Sequence, residues 1–326
     1  AIKATQLRRI GIHLMSGATL TIVDDPRHPG LGMTFGEDPF LVSEIGVAVI
    51  AGLQGTTDQK SVLAKNKVWA AATHFAARSL PANDSSTPLP LGNRELHERI
   101  LPPFLAAIAR GGVSAIVAAR AEFDALPLHG NKQLLHDVLR TELDFKGLSL
   151  AEPQGIADLH TVYGVSSDLQ GATRLAFSAG IDAGLPAEAA CAALAQSLRH
   201  GGITQTRFDT AVRRVLDIKF RAGLFEQPFA SFSTQKTSMS DQRDLFLNAA
   251  RSSIVLLKND GALPLHLNAM SRKEHIAVIT TKSRATDTGN LATDIADRLR
   301  AGDRATVEVV RLAELPEVPV VAAEVD

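Results

Sequence analysis

The sequence predicts an α/β fold in which helices cover a parallel sheet, closed or open. Short apolar runs alternate with longer amphipathic stretches over the first two-thirds of the chain, and this alternation is typical of parallel sheets. With 326 residues, of which 45% are hydrophobic, the chain can bury a sizeable core, and its length predicts one large domain plus a second piece, or two domains.

Five apolar runs are the predicted strands of this sheet, at 19–23, 68–75, 113–119, 148–151 and 181–185. Each is followed by a stretch in which apolar residues recur with helical spacing. The predicted helices are 39–53, 94–110, 132–143, 169–179, 188–200 and 206–222. We expect the five strands to be parallel neighbours in one incomplete barrel or open sheet, with the helices outside.

The last third of the chain predicts a linker before a second domain. Residues 226–240 are rich in Ser, Gln and Thr, which is typical of a linker. A helix is predicted at 241–252 and an extended strand at 253–258, before a turn signal at Asp260-Gly261.

A strand–helix–strand unit is predicted beyond this turn, at 275–280, 291–301 and 307–312. It is too short for an independent core, and we expect it to be the truncated start of a second α/β domain. The predicted organisation is therefore a partial first domain, a linker and this second piece, at 1–225, 226–265 and 266–326.

Charge and composition give no reason to expect nucleic acid or a membrane as a partner. The net charge is −1, and basic runs with interleaved aromatic residues are absent. No run of about 18 apolar residues predicts a transmembrane helix, and the N-terminal sequence has no signal-peptide pattern. The sequence specifies neither a compartment nor an oligomeric state.

Metal and disulfide chemistry is not indicated either. Cys191 is the only cysteine, which excludes an intrachain disulfide, and its alanine-rich helical surroundings predict a buried structural thiol. The ten histidines are scattered without the spacing of metal ligands.

A carboxylate ends one of the predicted strands. The segment GLSLAEPQGI, residues 147–156, is a predicted strand that ends at Glu152 and is followed by a turn marked by Pro153 and Gly155. Barrel enzymes carry their catalytic groups at the C-terminal ends of strands. Glu152 is therefore a candidate catalytic residue, and the alternative is a solvated or ion-paired strand end.

Six further segments, in order along residues 20–275, form a recognisable series. They are DDPRHPGLGMTFGEDPFLVSEIGVAVIAGLQG (24–55), THFAA (73–77), LPPFLAAIARGGVSAIV (101–117), NKQLLHDVLRTELDFKGL (131–148), RRVLDIKFRAGLF (213–225) and ARSSIVLLKNDGALPL (250–265). In this order they resemble segments of glycoside hydrolase family 3. The resemblance is to the multidomain β-glucosidase and β-xylosidase branch. It implies a TIM-barrel-like first domain followed by an α/β sandwich domain.

The resemblance also implies a function and the residues that carry it. Members of this branch hydrolyse terminal β-linked glucosyl or xylosyl residues with retention and need no cofactor, so the expected partner is a β-glycoside. Glu152 stands where the family has its Asp nucleophile, and Ala151 stands where it has Ser. Thr73 and His74 stand at the family's sugar-binding Lys-His pair, although His74 can also be a structural histidine.

Further positions differ from the family pattern. Asp84 falls where an Arg is expected, and Arg120 falls where the family has a Tyr beside its nucleophile. Glu122 and Asp124 match as sugar-binding acids or, alternatively, as loop-capping acids. Because an Arg can bind a carboxylate through two hydrogen bonds, we expect the guanidinium of Arg120 to hold Glu152.

Two hypotheses about function follow from these positions. The first is a retaining β-glycosidase with Glu152 as nucleophile and His74 at the same face of the barrel. The second is a non-catalytic relative or an inactive fragment with a carbohydrate-binding or scaffolding role. The resemblance places the general acid/base in the second domain, where this chain offers no candidate.

Overall fold

The computed structural model of the protein describes residues 2–24, 31–55, 61–76, 88–89, 92–184, 188–230, 240–261, 263, 274–281, 295–298 and 305–312. The chain divides into two compact units, Ala1–Thr234 and Gln235–Asp326. The parallel sheet and the candidate site belong to the first unit.

The described strands are β1 (Leu14–Thr19), β2 (Trp69–Phe75), β3 (Pro88–Leu89), β4 (Ala115–Ala118), β5 (Glu122–Phe123), β6 (Leu126–Pro127), β7 (Leu148–Ala151), β8 (Glu274–Thr281) and β9 (Ala305–Leu312). The described α-helices are α1 (Ile2–Arg9), α2 (Pro39–Gln54), α3 (Asn93–Glu95), α4 (Leu101–Ala109), α5 (Gly155–Thr161), α6 (Leu169–Ala179), α7 (Glu188–Arg199), α8 (Gln205–Arg221) and α9 (Ser240–Ser252). Short 3-10 turns lie at Leu31–Met33 and Leu128–Gly130, and π-helical stretches at Leu96–Ile100 and Gln133–Glu142.

Four strands of the first unit, β1, β2, β4 and β7, are parallel neighbours in this order. Ala183 continues the sheet through a single parallel bridge to Leu150 on β7, so the fifth predicted strand is reduced to one residue. The strands follow one another in sequence order with helices between them. This arrangement confirms the predicted parallel α/β sheet.

The first strand does not lie where the sequence predicted it. β1 covers Leu14–Thr19, whereas the prediction was 19–23. The N–H of Leu20 still donates to the carbonyl of Thr73 on β2. The chain then leaves the sheet, and the hydroxyl of Thr21 lies 3.2 Å from Nδ1 of His74. The β-branched residues that suggested a strand therefore carry the chain past the sheet edge toward the candidate site.

The predicted helices agree closely with α2, α6, α7 and α8. Local sequence explains the ends of α2: the Asp38 side chain accepts a hydrogen bond from the N–H of Phe40, and Pro39 begins the helix. Gly55 ends it in the left-handed conformation, at φ 72°, which glycine adopts without a steric cost. Helices α1 and α5 were not predicted.

Alternate residues of β2 enter hydrophobic clusters on the two faces of the sheet. Ala70 packs in the cluster that includes α2 and α4, whereas Trp69 packs in the cluster that includes α8. The indole Nε1 of Trp69 donates to the carbonyl of Ile218 at 3.2 Å. The guanidinium carbon of Arg221 lies 4.8 Å from the centre of the ring. Trp69 thus joins the sheet to α8.

A buried carboxylate also joins the sheet to the helices. The Asp182 side chain, 0% exposed, pairs with Arg140 at 2.8 Å, Arg214 at 2.9 Å and Arg207 at 3.0 Å. It also accepts the backbone N–H of Ser149 on β7 at 3.0 Å. Burial lowers the pKa of Arg140 to about 10 even though Asp182 acts in the opposite direction. Asp182 therefore compensates positive charge that is costly to bury.

Two expectations outside the sheet were wrong. Residues 253–258 have no regular secondary structure, and Ile254 and Leu257 are exposed instead of pairing in a strand. Cys191 is exposed on α7 and not buried, because it lies on the solvent side of that helix. In the second unit, β8 and β9 pair in parallel, which confirms the two strands predicted there.

Candidate active site

The candidate site lies where β2, β4 and β7 end. Glu152 directly follows β7, His74 is the second-last residue of β2, and Arg120 lies just beyond the end of β4. Because parallel neighbouring strands end at the same edge of a sheet, these three side chains belong to one edge.

Glu152 and His74 lie side by side. Oε1 of Glu152 is 3.8 Å from Nε2 of His74, and the two side chains are 18% and 17% exposed. The two side chains therefore lie together at one edge of the sheet, as expected for residues at neighbouring strand ends. The hydroxyl of the buried Thr21 lies 3.2 Å from Nδ1 of His74, which fixes the ring so that Nε2 faces the carboxylate.

Arg120 contacts Glu152 in a way that the sequence did not predict. Its backbone N–H donates to Oε2 of Glu152 at 2.9 Å. Its guanidinium Nε instead donates to Oδ2 of Asp158 at 2.6 Å. The expectation that the Arg120 guanidinium would hold Glu152 was therefore wrong. The cause is α5, which begins right after the Pro153 turn and brings Asp158, 5% exposed, within reach of Arg120.

A buried histidine supports the backbone of Glu152. The N–H of Glu152 donates to Nε2 of His129 at 3.2 Å, and His129 is 2% exposed. Burial, helped by the nearby charge of Arg120, lowers the pKa of His129 to about 3. His129 is therefore neutral over the physiological range and can accept this hydrogen bond. Its role was not predicted, since a single His in a turn carries no distinctive signal in the sequence.

The other predicted site residues are placed differently. Thr73 is only 4% exposed, so it is buried beside His74 at the end of β2. Glu122 lies half-buried in β5, between β3 and β6. Asp124 follows β5 in the left-handed conformation, at φ 51°. Asp84 lies outside the described residues.

The described residues contain no group of three or more His, Cys, Asp or Glu side chains that could hold a metal ion. Within the same part of the chain, none of the helices combines the length and the apolar character needed to span a bilayer.

We expect acid to destabilise the first unit through His129. Its pKa is about 3 in the folded protein and about 6.5 when unfolded, so the unfolded state binds more protons between these values. The free energy of unfolding should fall by about 1.4 kcal/mol per pH unit as the pH drops through this window. Urea titrations at several pH values measure this slope. The slope should decrease in H129Q and stay unchanged in H136Q, which alters an exposed histidine.

Gly155 allows His129 to reach Glu152. A Cβ at Gly155 would overlap with Nε2 of His129, so no side chain fits there without moving the ring. We expect G155A to cost about 1–3 kcal/mol of stability despite the better helix propensity of Ala. Thermal unfolding tests this, with G32A as the matched control because a Cβ on Gly32 meets nothing within 4 Å. Equal stability of the two variants would contradict the described packing.

Comparison with known proteins establishes the family. Residues 1–218 match the glycosyl hydrolase family 3 N terminal domain. A beta-xylosidase of Formosa agariphila is 31% identical over 292 residues, which cover 85% of this chain and 39% of that protein. A periplasmic beta-glucosidase of Salmonella typhimurium is 28% identical over 257 residues, covering 76% of this chain and 33% of that protein.

Solved structures agree with this assignment. A β-glucosidase from Erythrobacter marinus has a TM-score of 0.81 at 27% identity and covers 94% of this chain and 42% of its own. A β-glucosidase from Listeria innocua has a TM-score of 0.77 at 27% identity, with 97% and 45% covered. The chain belongs to glycoside hydrolase family 3, whose N-terminal domain is a TIM-barrel-like α/β fold. It spans less than half the length of these relatives.

Proposed function

We propose that this chain is the nucleophile-bearing part of a retaining β-glycosidase that acts on terminal β-linked glucosyl or xylosyl residues. The observation that carries the proposal is the state of Glu152. One oxygen of its carboxylate accepts a backbone N–H of Arg120, while the guanidinium of Arg120 is bound to Asp158. The other oxygen, Oε1, faces His74 at the partly exposed strand edge.

This geometry suits the first half of a double displacement. Oε1 of Glu152 would form a bond to the anomeric carbon while the aglycone leaves with a proton from the general acid. Water would then release the sugar and restore the carboxylate. His74 is placed to hydrogen-bond a sugar hydroxyl next to the nucleophile. The resemblance assigns the general acid to the second domain, so the first unit supplies the nucleophile.

The extra methylene of Glu152, compared with the family's Asp, moves the carboxylate by on the order of 1 Å, and such a shift can cost about 100-fold in rate. Two contacts limit this cost. His129 holds the Glu152 backbone, and the N–H of Arg120 holds its carboxylate, so both ends of the side chain are fixed.

A second candidate function is carbohydrate binding without turnover. The buried, uncharged Thr73 favours it, because the family's Lys at this position would contribute a charge-assisted hydrogen bond to the sugar. Under this proposal Glu152 and His74 would only bind sugar hydroxyls.

Trapping of the glycosyl-enzyme separates the two candidates. Activated 2-fluoro-glucosides and 2-fluoro-xylosides transfer their sugar to the nucleophile, and water hydrolyses the resulting glycosyl-enzyme only slowly. Mass spectrometry of the digested protein should therefore find the sugar on Glu152. E152Q should show no label, whereas E142Q, which alters an exposed carboxylate, should be labelled like the wild type. Calorimetric binding of glucose or xylose without labelling or hydrolysis of aryl β-glycosides would favour the binding function instead.

A further inference from the structure

We propose that Asp158 is a positioning residue that keeps the guanidinium of Arg120 away from Glu152 and so leaves the Glu152 carboxylate available to the sugar. This inference rests on the proposed function of Glu152. It assigns to a residue of α5 a role in the reaction that the sequence did not indicate.

Arg120 offers Glu152 two different donors, and the structure uses only one. The backbone N–H lies 2.9 Å from Oε2 of Glu152, which places the whole residue beside the carboxylate. Arg120 also contributes to the lowered pKa of His129, whose ring accepts the N–H of Glu152. The positive charge of Arg120 is thus close to the nucleophile.

Asp158 holds this charge in place. The contact from Nε of Arg120 to Oδ2 of Asp158 is 2.6 Å, and the Asp158 side chain is only 7% exposed, against 33% for Arg120. Asp158 itself is fixed in α5, since its N–H donates to the carbonyl of Gln154 at 2.9 Å. A buried carboxylate that lost Arg120 would be left uncompensated, so the pair is strongly favoured.

Without the carboxylate of Asp158, Glu152 would be an acidic partner within reach of the freed guanidinium. An Arg–carboxylate pair with two hydrogen bonds would occupy the oxygen that attacks the sugar. It would also stabilise the charged carboxylate, which reduces its tendency to form a bond to carbon. The backbone N–H of Arg120 contacts Oε2 and does not occupy Oε1.

The test compares D158N, R120Q and the double variant D158N/R120Q in the protein that carries this chain. The first substitution keeps the shape of the Asp158 side chain but not its charge, and every variant keeps the backbone N–H of residue 120. We expect kcat/KM of D158N to fall by roughly 10- to 100-fold, mainly in kcat, with the acidic limb of its pH profile moved to lower pH. Activity of D158N/R120Q should recover well above that of D158N, since the interfering guanidinium is then gone.

A purely structural role for Asp158 would give no such recovery, so a double variant as impaired as D158N overturns the inference. Wild-type activity of D158N overturns it as well. A crystal structure of D158N needs no turnover: the guanidinium of Arg120 should contact the Glu152 carboxylate, and a guanidinium that stays beside the substituted side chain contradicts the proposal. If the wild type shows no turnover, the proposed function fails. The inference about Asp158 is then decided by the crystal structure of D158N.

Discussion

Replacing Asp182 with Asn will lower the free energy of unfolding of the first unit by about 3–5 kcal/mol. Asp182 is fully buried and pairs with the guanidinium groups of Arg140, Arg207 and Arg214. Its removal leaves three cations competing for neutral acceptors in a region where burial already lowers the pKa of Arg140 and Arg207. The backbone N–H of Ser149 on β7 loses its charged acceptor at the same time.

Urea unfolding followed to equilibrium measures this loss. The matched control is D217N, because Asp217 pairs with Arg221 one turn away on α8 and its side chain is 55% exposed. A pair of that kind contributes at most about 1 kcal/mol. If the two variants lose similar amounts of stability, the Asp182 cluster does not have the importance that its burial indicates.

Removal of the Glu152 carboxylate will lower kcat/KM on aryl β-glycosides by at least about a thousand-fold, since nucleophile variants lose most of an enzyme's rate enhancement. E152A provides a sharper test than the rate alone, because it opens space for a small anion. Added azide should then attack the anomeric carbon in place of Oε1 and release the aglycone. The product should be a glycosyl azide of inverted configuration, identified by NMR.

E142Q serves as the control for this experiment, because Glu142 is an exposed carboxylate whose partner is His97. It should retain the wild-type rate and should not respond to azide. An E152A variant with undiminished activity would show that Glu152 is not the nucleophile and that another group performs the hydrolysis.

The parallel sheet was predictable because its strands are nearly uniform apolar runs and its helices have clear periodicity. The bounds of α6 were predicted without error, since Asp168 caps its start and Gly180 follows its end. The position of the first strand was less predictable. The residues around Thr21 have strand propensity, but they lie beyond the end of β1, where the hydroxyl of Thr21 contacts His74.

Site residues could be predicted from strand ends, whereas their contacts could not. Glu152 and His74 meet because parallel strands end together, which follows from the order of elements. The partner of Arg120 depended on α5, whose start has no capping side chain and follows Gln154 at φ 67°, so no helix signal was present there. His129 was missed because the hydrogen bond that it accepts comes from a backbone N–H.

Trp69 gives the protein a built-in optical probe. It is the single tryptophan of the sequence, it is 0% exposed, and it packs between the central sheet and α8. The emission of the protein therefore comes from one indole. That indole loses its apolar surroundings when the sheet separates from α8. Fluorescence of the unlabelled chain can follow the unfolding of each variant. Substitution of Arg221, whose guanidinium lies against the indole, offers a way to change the emission of the folded state.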